Sequence, residues 1–271
     1  MIEILLSTYN GERYLSSQFE SILRQTFTDW KITIRDDGSL DKTVSIIKDY
    51  ISKYPEKIQL LEKDGIRLGS TLSFAKLIEN SKAEYVMLCD QDDVWMDKKI
   101  EITFDAMKKL EEAHPDKPLL IFTDLTEVDS ELNIIANSFI KNQKLNPAVA
   151  KDPYQLLALN VVAGCTTMFN KISKPIILPI RSKHIIHDQW IAINISKHGY
   201  IDFVDEATIL YRQHGNNAVG SKVIGLKYFL KKASSPVRQI RIYYDLIHNL
   251  NFKVNIIKFL FNKVSFSLKR L

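Results

Sequence analysis

Residues 3–39, EILLSTYNGERYLSSQFESILRQTFTDWKITIRDDGS, carry the pattern on which the fold turns. A short apolar β run is followed by Tyr14, Leu15, Phe19, Ile22 and Leu23 at helical spacing, and WKITI then returns to strand before the turn residues Asp36-Asp37-Gly38-Ser39. The unit repeats. SLDKTVSIIKDYISKY predicts a helix opened by a Ser39 or Asp41 cap, with Val44, Ile46, Ile47 and Ile51 turned inward. KIQLLEK predicts a third strand, STLSFAKLIENSK a third helix and EYVMLCD a fourth strand. Strands that alternate with helices build βαβ units, so an α/β chain with a Rossmann-like, mostly parallel sheet is expected.

Ligands of such sheets bind beyond the carboxyl ends of the strands. Three strands here end on polar runs: Ser7-Thr8-Tyr9-Asn10, Asp36-Asp37-Gly38-Ser39 and Asp90-Gln91-Asp92-Asp93. The last places three carboxylates in four positions, where mutual repulsion raises their pKa values unless a cation sits between them. Hard dications such as Mg²⁺ and Mn²⁺ take oxygen ligands and are commonly shared with substrate phosphates. An Asp-x-Asp alone is also an ordinary solvated turn; the convergence of three such loops points to a site.

After Trp95 the order becomes mixed. DKKIEITFDAMKKLEEAH predicts a charged helix, PLLIFTDLTEVDSELNII strands with a turn, HDQWIAINISKHG a helix, and DEATILYRQHGNN a strand leaving the domain. From Lys222 to Leu271, eleven Lys or Arg face the single acid Asp245, a formal +10 in a chain whose net charge is +5. Aliphatic and aromatic residues are interleaved with this charge at amphipathic helical spacing. Such basic helices suit an anionic membrane surface, or a cap packed on the main domain with a solvated basic face. No nucleic-acid-binding motif accompanies the charge, so no nucleic-acid partner is expected. The expected domains are 1–221, catalytic, and 222–271, a basic helical extension. The 271 residues are 45% hydrophobic with no low-complexity tract, which indicates neither disorder nor a solenoid array. Two cysteines, Cys89 and Cys165, make no disulfide framework and suit a reducing cytoplasmic compartment. MIEILLSTYN is expected to be a first strand, not a secretory signal. No run of about 18 apolar residues is present to span a bilayer. The expected location is cytoplasmic, peripheral on the inner face of the membrane.

The ordered stretches LSTYNG (6–11), SILRQTF (21–27), IRDDGSLDKT (34–43), LGSTLSFAKLI (68–78), CDQDDVW (89–95), GCTTMF (164–169), HDQW (187–190) and YRQHGNN (211–217) resemble family 2 glycosyltransferases of the GT-A, nucleotide-diphospho-sugar transferase fold. DQDDVW and YRQHGNN are similar to the rhamnosyltransferase-like subgroup. The resemblance implies a mixed, mostly parallel sheet flanked by helices, and roles for matching residues. Thr8, Tyr9 and Glu12 would line the nucleotide pocket, with Asp36 and Asp37 at the base or ribose. Asp90 and Asp92 would bind ribose and a Mn²⁺ or Mg²⁺ ion, Asp92 as the direct ligand, with His214 contributing to the metal or diphosphate. Asp93 would meet the donor sugar or diphosphate, and Arg212 would pair with phosphate or form a structural ion pair. Asp188 would be the base that takes the acceptor proton, or else a helix cap. Trp190 and Trp95 would offer platforms for an acceptor sugar. His187 stands where the family commonly has glutamate. No Gln-x-x-Arg-Trp segment follows the base, as it does in processive members.

The resulting expectation is an inverting, non-processive, metal-dependent glycosyltransferase. Its donor would be a nucleotide-diphosphate sugar, best dTDP-L-rhamnose, and its acceptor lipid-linked or a growing polysaccharide. A UDP-hexose donor and a non-catalytic nucleotide-sugar-binding protein are the alternatives. Oligomeric state is not encoded in any feature of the chain.

Overall fold

The computed structural model describes residues 1–62, 65–181, 185–214 and 236–270. The boundary expected at 221/222, the stretch GLKYFLKKA and the last three residues of YRQHGNN lie outside them. Along the chain run β1 (Ile2–Thr8), α1 (Leu15–Leu23), β2 (Trp30–Asp36), α2 (Thr43–Lys53), β3 (Ile58–Leu60), α3 (Gly69–Asn80), β4 (Tyr85–Cys89), β5 (Val94–Trp95) and α4 (Lys99–Ala113). There follow β6 (Leu119–Val128), β7 (Ile134–Ala136), α5 (Phe139–Asn142), α6 (Pro153–Ala158), β8 (Thr167–Asn170), α7 (Lys174–Ile177), α8 (His187–His198), β9 (Tyr200–Arg212), α9 (Pro236–Asn249) and α10 (Ile256–Lys269).

The strands form one mixed sheet in the order β3-β2-β1-β4-β8-β6-β9-β5, with β7 paired to β6. Pairings β1–β2, β1–β4, β2–β3 and β6–β9 are parallel, whereas β8 runs antiparallel to both β4 and β6. Strand pleating divides the core between two faces. Ile2, Ile4, Leu6, Met87, Cys89, Leu119 and Ile121 pack with α1, α2 and α4 on one side, while Leu5, Val86, Leu88, Leu120 and Phe122 pack with α3, α6 and α8 on the other. Each fully buried aliphatic side chain contributes about 1.5–3 kcal/mol. The chain order reverses between β1 and β4, since β2 and β3 lie on one side of β1 and β4 on the other. Such a switch point opens a crevice beyond the strand ends.

β9 corrects one expectation. It does not leave the domain but lies inside the sheet, parallel to β6 and antiparallel to β5, with Val94 opposite Leu210 and Trp95 opposite Ile209. Its partners are far away in sequence, so local patterning carried no trace of the pairing. The C-terminal helices cap the domain with one face. Leu246, Leu250 and Phe259 are buried in the core shared with α6, Lys263 Nζ donates to the Ala158 carbonyl, and Arg270 Nε donates to that of Gln143 at 3.0 Å. Among the described residues, no helix is long and apolar enough to cross a membrane.

Candidate active site

The first wall of the crevice is the turn after β1. Asn10 takes a left-handed conformation (φ 47°), and Gly11 approaches Gln91 so closely that a Cβ would stand 2.4 Å from its Oε1. Gln91 uses both ends of its amide on one residue: Oε1 accepts from Tyr9 N at 2.9 Å and Nε2 donates to Tyr9 O at 3.0 Å. The β1 turn is thereby latched to the DQDD loop. Thr8 is buried and donates to Asp36 Oδ2 at 3.0 Å, half-buried Tyr9 lies under the Arg67 guanidinium at 4.0 Å, and exposed Glu12 accepts from Lys42 N at 2.9 Å. Asp41, not Ser39, accepts from the first-turn N–H of Thr43 in α2.

The second wall is the DDGS turn. Asp36 accepts from Gly38 N and Ser39 N, and Gly38 has the positive φ of 87° that the turn requires. Asp37 is turned inward, 4% exposed, and accepts from Arg35 Nη1 at 2.7 Å, Leu68 N at 2.7 Å and Gly69 N at 2.8 Å. Although burial opposes it, these bonds and the Arg35 charge hold the Asp37 carboxyl below the usual carboxylate range. Asp37 therefore anchors the start of α3, and Asp36 is the half-exposed member of the pair.

The DQDD loop divides its carboxylates. Asp92 Oδ2 lies 2.8 Å from His214 Nε2, which brings together two residues 122 positions apart in the chain. Asp90 is half-buried at the crevice, and burial, then Asp92 and Asp188, push its pKa up to about 7. Asp93 lies deeper, beneath Asp90. It is fully buried, its Oδ1 accepts from Arg212 N at 3.1 Å, and burial with the charges of Asp92 and Asp90 holds its pKa well above the usual range. Donor atoms of Asp90, Asp93 and Cys165 lie within 4.8 Å of one another. Beneath them, Lys99 is fully buried with Nζ 4.8 Å from the centre of the Trp95 ring, and burial draws its pKa down to about 8.

The fourth wall is the start of α8. Asp188 stands in its first turn rather than at the cap position, which Ile186 occupies. Its carboxylate accepts from Asn160 Nδ2 at 3.3 Å and from the backbone N–H groups of Gln189 and Gly164, yet burial prevails and pushes its pKa up to about 6. Gly164 lets the two segments approach closely, since a Cβ would sit 3.0 Å from His187 Nε2 and 3.3 Å from Asp188 Cβ, a tight fit. His187 stacks on Phe74 at 4.2 Å, and burial pushes its pKa down to about 3, so it is neutral.

Five expectations need correction. Asp37, expected at the base or ribose, is turned inward and holds the start of α3. Trp190 is 2% exposed and donates its indole N–H to Ile177 O at 2.8 Å. Two positions after Asp188 on a helix, it faces the core and offers no platform to a sugar. Trp95 is 1% exposed and is equally excluded. Asp93 faces the interior, not the donor. Arg212 is 4% exposed, donates to Asp92 O at 2.9 Å and Ser130 O at 2.6 Å, and lies 4.5 Å from the centre of the Tyr14 ring, so it holds the loop instead of presenting a phosphate fork. Sequence reasoning assigned no role to Gln91, Asn160 or Gly164. Gln91 and Gly164 lay inside recognised stretches; Asn160 gave no local signal.

Residues 3–118 match the family model "Glycosyl transferase family 2"; Asp188, Arg212 and His214 lie beyond the matched segment. The dTDP-rhamnosyl transferase RfbG of Shigella flexneri is 28% identical over 233 residues, 80% of this chain and 74% of the relative. The UDP-Glc:alpha-D-GlcNAc-diphosphoundecaprenol beta-1,3-glucosyltransferase WfgD of Escherichia coli is 23% identical over 62% of this chain and 59% of its own. Matches to the first three curated relatives span between 36% and 74% of their lengths. Among solved structures, S. aureus TarS in complex with UDP-GlcNAc has a TM-score of 0.60 at 18% identity, covering 98% of this chain and 73% of that one. The mannosyltransferase PcManGT of Pyrobaculum calidifontis, in complex with GDP-Man and Mn2+, has a TM-score of 0.56 at 15% identity, covering 90% and 68%. The fold is GT-A.

Proposed function

We infer that this chain is a family 2 glycosyltransferase, a reading supported by the family match over residues 3–118 and by the RfbG relative. We propose that it transfers one sugar from a nucleotide-diphosphate donor with inversion, and that Asp188 is the base. One observation carries the proposal. A carboxylate with its pKa lifted to about 6 lies across the switch-point crevice from the DQDD loop, close enough for its charge to raise Asp90. The acceptor hydroxyl gives its proton to the Asp188 carboxylate as its oxygen bonds to the anomeric carbon, and the bond from that carbon to the diphosphate breaks on the opposite face. Asn160 and the Gly164 N–H orient the carboxylate.

Asp90 and Asp92, with His214 beside Asp92, would hold a Mn²⁺ or Mg²⁺ ion. A hard dication selects carboxylate oxygen over the buried thiol of Cys165, and Asp90 and Asp92 otherwise repel. When bound, the ion would neutralise the departing diphosphate. Tyr9, Glu12 and Asp36, with Thr8 behind them, would hold the nucleotide. Asp37 supports them from within.

For the donor we propose dTDP-L-rhamnose, supported by RfbG. The name of WfgD favours a second reading, a UDP-hexose donor, and also supports a lipid-diphosphate acceptor. Such an acceptor would require work at a membrane surface. The test is transfer by Asp188→Asn, with dTDP-rhamnose and UDP-glucose compared by thermal shift in the presence of Mn²⁺. Transfer should vanish while donor still raises the melting temperature. Retained transfer removes Asp188 as base; lost donor binding makes it part of the donor site.

A further inference from the structure

The last helix is apolar on two opposite sides. Phe259 and Phe266 pack into the core, whereas Ile257, Leu260, Phe261, Val264 and Leu268 are 81, 54, 71, 60 and 64% exposed. Their spacing of i, i+3, i+4, i+7 and i+11 aligns the second set in one row along a helix about 21 Å long. Lys258 and Lys269 lie together along one side of that row. On α9, Ile240 and Tyr244, 67 and 68% exposed, are one turn apart. A water-soluble surface rarely leaves such a row open without an occupant.

We propose that this outer face of α10 seats the protein on an anionic lipid surface with the acceptor side of the crevice turned toward it. The occupant is argued from charge: residues 246–271 contain no acid, and while Lys263 and Arg270 turn inward to Ala158 and Gln143, Lys253, Lys258 and Lys269 remain for the surface. A basic segment flanking an apolar row matches anionic headgroups over acyl chains. The direction is argued from packing. Lys263 holds α10 to Ala158 at the end of α6, and two residues later Asn160 contacts Asp188. A lipid-borne acceptor would thus emerge from the surface beside the base. This orientation rests on the reading of Asp188 and of a lipid-linked acceptor; the seat itself does not.

The experiment uses the full chain with vesicles of phosphatidylcholine, with and without phosphatidylglycerol. Wild type should sediment with the anionic vesicles. Leu260→Glu/Phe261→Glu should weaken that partition on the order of tenfold or more, and Ile172→Glu, an exposed apolar residue after β8, should leave it unchanged. Both variants are checked for wild-type melting temperature and for transfer to a short water-soluble acceptor. Equal partition by the double variant, or no binding by wild type, overturns the seat. So does a wild-type dimer that the double variant dissociates, which would make a second copy the occupant. Vesicle binding that depends on this face in a chain without transfer keeps the seat and removes the catalytic reading.

Discussion

Asp90 and Asp188 face one crevice, and burial lifts both above the ordinary carboxylate range, to about 7 and about 6. A base must be ionised to accept a proton. Transfer at saturating donor should therefore fall about tenfold per pH unit below pH ~6; a rate level down to pH 5 would separate catalysis from Asp188. The same shifts act on stability. A carboxyl with a raised pKa in the folded state keeps a proton that the unfolded chain has lost, so its contribution is full below the unfolded value near 3.8 and is lost as pH rises through 6 to 7. Asp90→Asn should accordingly stabilise the metal-free protein at pH 8, by on the order of 1 kcal/mol in urea melts, while most transfer is lost. The carboxylates of DQDD were legible in the sequence because they are contiguous and end an apolar run. That Asp93 turns inward was not, because its partner, the Arg212 backbone, comes from a strand whose position no local pattern reveals.

At the scale of elements, Gly164 sets the approach of the turn before β8 to the start of α8. In Gly164→Ala the new methyl would press on His187 and Asp188. The transfer rate should drop roughly tenfold or more with donor affinity within twofold of wild type; equal loss of both would indicate general unfolding instead. The elements from β1 to α4 were readable because each strand is followed by a helix of matching period. The second half was harder. β8 and β9 owe their places to partners tens of residues away, and Trp190 was misjudged for a geometric reason: a helix carries residues two apart to opposite sides. Asp188 and Trp190 share a motif but not a face.

For the whole molecule, removing residues 236–271 would uncover the surfaces that Leu246, Leu250 and Phe259 cover. That truncation should lower stability by several kcal/mol and loosen α6, so loss of transfer would accompany loss of lipid binding; surface substitutions on α10 keep the two separate. A truncated chain as stable as the full one would show that the helices do not support the domain. The basic amphipathic character of this region was plain from charge and spacing, but which apolar face of α10 meets the core depends on its packing against α6. The β5 stitch has a last consequence. The segment matched by the family model, residues 3–118, contributes Val94 and Trp95 to the far edge of the sheet, where they pair with Leu210 and Ile209. The segment that looks like a module in comparisons is thus sewn through the rest of the chain. Chimaeras that exchange it between relatives must carry the matching stretch of β9 with it, and a break in the loop before β6 should give two fragments that are recovered folded only when made together.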